Sequence, residues 1–375
     1  MAKDDAANGA GWVSDPADHL RVGEGFDLAE FDRAATPGWE AGKTAGKAFL
    51  KERGDLLSEM QERLFAQARS GSEKSVLLVV QGLDTAGKGG IIRHVAGMMD
   101  PQGLAIRNFG VPTEEERSHH YLWRIRNALP APGLIGIFDR SHYEDVLVVR
   151  VDELADVDWD ERFAEILEFE KEVMAAGTTI VKVAMMVSHE EQGLRLMERL
   201  DRPDKHWKYS TNDLVTRSKW DAYQAVYADM LAKTSTDAAP WHVIPADRKW
   251  YARLAVTELL TQALAAMELT WPRVRWQVET QKRKLAATMT PETLAEAEAN
   301  AAEKVPEVRE EIAEHRDAVT EVIELAEGDD AEPGKSGTGP SEKKDADRTK
   351  PKKKSGKKSG KGKKAGNKKS GKKKG

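Results

Sequence analysis

Residues 75–90 read SVLLVVQGLDTAGKGG, an apolar run that opens onto a glycine-rich loop and then a helix start near Lys88. Few folds accommodate that order. A short, wholly apolar strand must be covered on both faces. The glycines let backbone N–H groups at a helix N-terminus close on an anion. Gly82, Gly87 and Lys88 keep the register of a G-x-x-x-x-G-K-[S/T] phosphate loop, with Gly89 and Gly90 completing the cradle and Lys88 offering a point charge to phosphate oxygens. Yet Gly89 stands where such loops carry the hydroxyl that ligates a metal. Asp84, inside the loop, suits a solvated turn, but beside phosphate a carboxylate needs a cation. Asp139 ends the apolar run LIGIFD, at the place of the second-strand carboxylate of P-loop enzymes. Two carboxylates at neighbouring strand ends suit a hard cation, so Asp84 and Asp139 are the candidate metal ligands.

The remaining pattern predicts an α/β sandwich. AFLKERGDLLSEMQERLFAQA carries apolar residues at helical spacing. Strand-like runs at LAIRNF, LIGIFD, TTIVKVAMMVS and WHVIPA alternate with helical stretches, including a helix across EEERSHHYLWRIRNAL, one over Trp159–Ala176 and a last one from Lys249 to Met267. That alternation indicates a parallel sheet with helices on both faces, and ligands then bind at the carboxyl ends of the strands. Both GLDTAGKGG and DRSHYED lie at such ends.

Charge is unevenly placed. The net charge is −5, but residues 351–375 hold 13 Lys and no acidic residue, leaving −18 on residues 1–350. Against that acidic body, Arg195, Arg199, Arg202, Lys205 and Lys208 cluster on one connecting segment, which suits a lid closing over polyanionic phosphates. The chain has no cysteine, so thiol catalysis and cysteine-ligated zinc are excluded. His119-His120 lacks partners at metal spacing and reads as helix surface. No run of about 20 apolar residues is present to span a bilayer, and a cytoplasmic, membrane-free protein is expected.

Four stretches together resemble one family, the family-2 polyphosphate kinases: VVQGLDTAGKGGIIRHV, FDRSHYEDVLVVRV, RLDRPDKHWKYSTND and TSTDAAPWHVIPADRKWYAR. The resemblance implies a thymidylate-kinase-like P-loop fold, a three-layer sandwich with a helical lid, and phosphoryl transfer between polyphosphate and adenine nucleotides, with guanine nucleotides as further acceptors. It implies Mg²⁺, with Mn²⁺ as a substitute, served by Asp84 and Asp139. It gives catalytic positions to Lys88 and Arg140, and phosphate-binding positions to Arg93, Arg199, Lys205 and Lys208, with Asp213 as the acidic lid residue. It also implies a homo-oligomer. The form Asp139-Arg140-Ser141-His142-Tyr143-Glu144-Asp145 is similar to the branch that phosphorylates both AMP and ADP, with Glu144 an extra carboxylate for a second metal or for the acceptor.

The expected organisation is a flexible segment over 1–30, a catalytic domain over 31–282 with its lid at about 189–215, an acidic helical extension over 283–327 broken at Pro306, and a disordered Lys-rich tail over 328–375. The residues leave two rival readings open. One is a P-loop nucleoside or nucleotide kinase with ATP as donor. The other is nucleic-acid binding through the tail, which the acidic body and the lack of interleaved aromatic residues oppose.

Overall fold

The computed structural model describes residues 11–327; the expected Lys-rich tail lies outside them. Five strands form one wholly parallel sheet in the order β2-β3-β1-β4-β5. In chain order the elements are α1 (Pro16–Leu20), α2 (Lys43–Ala68), β1 (Ser75–Gln81), α3 (Lys88–His94), β2 (Leu104–Asn108), α4 (Glu114–Ser118), α5 (Trp123–Arg126), β3 (Ile135–Asp139), α6 (Glu144–Val151), α7 (Trp159–Ala175), β4 (Thr178–Met186), α8 (His189–Asp201), α9 (Asn212–Ser218), α10 (Trp220–Thr234), β5 (Trp241–Pro245), α11 (Lys249–Ala265), α12 (Val278–Ala286) and α13 (Pro291–Glu327).

Strand alternation sorts the core into two layers. Val76, Leu78 and Val80 of β1 face the cluster built from α2, α3 and α11, whereas Leu77 and Val79 face the cluster of α6, α7 and α10. Every residue of β1 is buried, as a central strand covered on both faces requires. The expected three-layer α/β architecture is present.

One polar knot sits inside the second layer. Lys182, wholly buried on β4, donates to Glu170 Oε2 at 2.6 Å, to the Thr234 carbonyl at 2.8 Å and to Tyr143 Oη at 3.2 Å, while Tyr143 donates to Glu170 Oε1 at 2.7 Å. A buried charge is tolerable only when paired and fully hydrogen-bonded. Here the pairing also anchors Tyr143, four residues beyond the end of β3, and so fixes the chain just past Asp139.

Three expectations are corrected. Residues 11–30 are packed, not flexible. Leu20 and Leu28 are buried, Trp12 meets Trp39 and Tyr251 edge-on, and the Val22 amide donates to the Trp241 carbonyl. The apolar residues there are too sparse to show a period, yet Trp12, Leu20, Val22 and Leu28 dock on the core, while Val13 stays exposed. The stretch after Thr113 makes two short helices in place of one, because His119 and its extended backbone end α4. The helix expected to break at Pro306 runs unbroken from Pro291 to Glu327. A mid-helix proline costs roughly 3 kcal/mol, and its missing N–H leaves the Ala302 carbonyl without its helical donor, at a position that is exposed.

Candidate functional site

The carboxyl edge of the sheet collects the chemistry. The loop after β1 turns on Gly82 and Gly87. A Cβ on Gly82 would lie 2.8 Å from the Met185 carbonyl oxygen, and Gly87 has φ of +115°, so both positions require glycine. Gly89 and Gly90 differ: added Cβ atoms there meet nothing closer than 3.8 Å. Packing does not demand those two glycines; they leave the first turn of α3 bare toward the cleft. Lys88 is buried, and its Nζ folds back to the carbonyls of Gly82 at 2.6 Å and Leu83 at 3.3 Å. Burial and the neighbouring Arg140 push its pKa down.

Because β3 pairs directly with β1, Asp139 lies level with Val80, and Arg140 is anchored by its amide to the Val80 carbonyl. Arg140 Nη2 reaches Asp84 Oδ1 at 3.2 Å, joining the two motifs that are separate in sequence. Burial acts against the Arg140 charge, but Glu144, Asp84 and Asp139 hold its pKa up. Glu144 is in turn pushed up by burial against the pull of Arg140 and Lys88. Thr85 (φ 67°) and Arg140 (φ 65°) both adopt left-handed backbone conformations. Such strain costs on the order of 1–3 kcal/mol each and gathers at working sites.

Two clefts meet at this pair. One, of about 460 Å³, is lined by eight cationic side chains, Lys88, Arg93, Arg140, Arg195, Arg199, Lys205, Lys208 and Lys249, against the carboxylates of Asp84, Asp139 and Glu198. Arg199, Lys205 and Lys208 come from the segment expected to be a lid, which comprises α8, a 3₁₀ turn over Pro203–Lys208 and α9. Asp213 is buried beside them and accepts from Arg199 at 3.2 Å. Its own desolvation, with Asp84 nearby, raises its pKa.

Arg195 has a different task from its neighbours. All five of its N–H groups are engaged: with Glu191, with the Thr85 and Ala86 carbonyls, and with the Ala246 and Asp247 carbonyls. It therefore braces the strained loop against the base of α8, with no donor left over for a phosphate. Arg195→Lys keeps the charge but loses the fork. If bracing is its role, turnover falls about 10²-fold, the scale of an ångström misplacement, in a steady-state assay. Unchanged turnover would mean that charge alone suffices.

The second cleft, of about 550 Å³, shares Asp84 and Arg140 with the first and adds Gly82 and Glu144. It is otherwise walled by Phe109, Val111, Val148, Tyr223 and Tyr227, with Arg117, Arg124 and Asp145 at its polar side. Arg124 is buried and donates to the Gly110 carbonyl at 2.9 Å, with Asp145 at 3.6 Å. Sequence reasoning missed this chamber, since EEERSHHYLWRIRNAL read as one helix and neither Arg117 nor Arg124 stood out within it. The signal available was their density beside an aromatic strand end.

Among the described residues, no three His, Asp or Glu side chains gather as a ready-made metal cage. A two-carboxylate site is what remains, and it passes one structural test. Asp139 Oδ1 is buried without a hydrogen-bond partner, while Oδ2 receives Asn108 Nδ2 at 3.2 Å. An unpaired buried carboxylate oxygen suits a hard cation that completes its shell with water and phosphate oxygens.

A P-loop between central parallel strands, a neighbouring strand-end aspartate and a cationic lid define a phosphoryl-transferring P-loop protein. The comparisons narrow this. The model of the family "Polyphosphate kinase 2 (PPK2)" matches residues 43–272. An AMP/ADP-polyphosphate phosphotransferase from Meiothermus ruber is 42% identical over 249 residues, spanning 66% of this chain and 92% of that protein. An ADP-polyphosphate phosphotransferase from Rhodopseudomonas palustris is 36% identical, spanning 68% and 91%. A crystal structure of polyphosphate kinase 2 from Arthrobacter aurescens TC1 superposes with a TM-score of 0.73 at 48% identity, covering 74% of this chain and 98% of that one. This chain belongs to the polyphosphate kinase 2 family, whose members generally depend on a divalent metal.

Proposed function

We propose that this protein moves the terminal phosphoryl group of inorganic polyphosphate onto ADP, giving ATP, and onto AMP, giving ADP. The observation that carries this reading is the meeting of two unlike clefts at Asp84 and Arg140. The cationic cleft fits a polyanion without a nucleoside. The aromatic-walled one fits a nucleotide, with guanine nucleotides as further acceptors. An oxygen of the acceptor's last phosphate forms the new P–O bond while the bridging P–O bond of the chain breaks, and polyphosphate leaves one unit shorter. The attacking oxygen is already anionic, so little proton transfer is needed and catalysis rests on positioning and charge.

In this reading Gly82, Gly87, Gly89 and Gly90 present loop amides, and Lys88 and Arg140 face the transferred group. Arg93, Arg199, Lys205 and Lys208 hold chain phosphates, with Asp213 fixing Arg199. Glu144 lies on the acceptor side. Asp84 and Asp139 would hold Mg²⁺, or Mn²⁺ in its place, which when bound neutralises phosphate charge. No helix among the described residues is long and apolar enough to cross a membrane. A cytoplasmic location fits a cysteine-free chain acting on nucleotides, and a homo-oligomer fits its family.

Incubation with polyphosphate as sole donor, Mg²⁺ and either ADP or AMP is expected to yield ATP and ADP, respectively. Transfer from ATP but none from polyphosphate would overturn the reading in favour of an ATP-dependent kinase.

A further inference from the structure

The family match ends at residue 272, and α12 and α13 beyond it have surfaces that the described chain leaves open. On α13, Leu294, Ala301, Val305, Val308 and Ile312 fall on the face that carries Val319 and Val322 further along, since residues seven apart return to one side of a helix. Near the C-terminal end that face is covered. Val322 is buried, and Ala318, Val319 and Ile323 pack on the core beside α2 and α11. Toward the N-terminal end the same stripe continues over Leu294–Ile312, about 27 Å at 1.5 Å per residue, with Val305, Val308 and Ile312 between 39% and 48% exposed. The preceding segment is equally bare: Trp271, Val274, Trp276, Val278 and Leu285 are 40–63% exposed, and α12 buries no residue.

The two bare surfaces have opposite charge. Residues 271–286 carry five Lys or Arg against Glu279, whereas residues 291–311 carry seven Glu against Lys304 and Arg309. A nine-residue helix with nothing buried is marginal alone, and an exposed apolar stripe of this length marks an interaction surface. Acidic flanks disfavour an anionic lipid surface.

We propose that the occupant is a second copy of this chain, its basic, tryptophan-bearing segment 271–286 lying on the acidic, apolar half of α13, and the reverse contact formed at the same time. The two segments adjoin in sequence, so a two-fold axis between the copies would form both contacts at once, as an isologous, closed interface requires. The pairing buries each stripe and sets unlike charges along its rim. It lies outside both active-site clefts and is independent of the reaction proposed above.

The test is the solution mass of the full chain by light scattering and sedimentation, at equal protein concentrations. Val308→Glu with Ile312→Glu replaces exposed residues by good helix formers, so the melting temperature should hold while the mass falls by half. Arg273→Glu with Arg275→Glu should do the same. Combining that pair with Glu307→Lys and Glu311→Lys, which flank the stripe, should restore the assembly. An unchanged mass in the Val308/Ile312 variant overturns the proposal. So does an assembly that the Arg273/Arg275 variant leaves intact, because the stripes would then pair without the basic segment.

Discussion

Replacing Asp139 by Asn is expected to lower kcat by about 10³-fold with little change in folding. The substitution keeps the shape of the side chain and its neighbour Asn108, whose Nδ2 lies 3.2 Å from Oδ2. It removes only the negative charge, and that charge has no protein partner at Oδ1. A structural aspartate at a strand end would have both oxygens engaged; one buried oxygen without a donor is costly unless something else binds it. Losing one preorganised electrostatic contact typically costs 10²–10³ in rate. Asp84→Asn is expected to act in the same direction, with the added loss of the ion pair to Arg140 at 3.2 Å. The measurement is initial rate against Mg²⁺ concentration, alongside a thermal melt. Turnover near the wild-type level in either variant would remove that aspartate from the metal assignment.

The two aspartates were legible in the sequence because each sits at the end of a strand that announces itself. SVLLVVQ and LIGIFD are buried runs, and the pairing of β1 with β3 draws their C-terminal loops together. The loop glycines, Lys88 and the lid cations were legible for the same local reason. The acceptor-side cleft was not, since its walls come from residues 109–124, 144–155 and 212–227, which only the sheet order makes neighbours. Arg195 shows the limit of counting charges. It stands in the lid cluster by sequence, yet its five N–H groups are all spent on neighbouring residues. The packed N-terminal segment was illegible because Trp12, Leu20 and Leu28 dock singly, with no period to betray them. Pro306 misled because a proline's cost of roughly 3 kcal/mol disfavours a helix without forbidding it.

Lys88→Met is the second substitution expected to disable the enzyme, by about 10²–10³-fold, and its partner Lys88→Arg tells why. Methionine fills the buried stem and removes the ammonium, so the loop keeps its packing while the cleft loses the charge closest to its glycines. Arginine restores the charge but not the shape. Nζ fits within 2.6 Å of the Gly82 carbonyl and 3.3 Å of the Leu83 carbonyl, a space for a compact ammonium and not for a planar fork. Both variants should therefore be impaired, with Lys88→Arg retaining the tighter KM for polyphosphate because the cleft keeps its charge. The same surroundings set the pH dependence. Burial and Arg140 push Lys88 below the ordinary lysine range, so the protonated form is lost earlier as pH rises, and activity that depends on it should decline on the alkaline side. That limb should be absent from the residual activity of Lys88→Met. If it persists there unchanged, another group sets it, and Lys88 acts through the loop's shape alone.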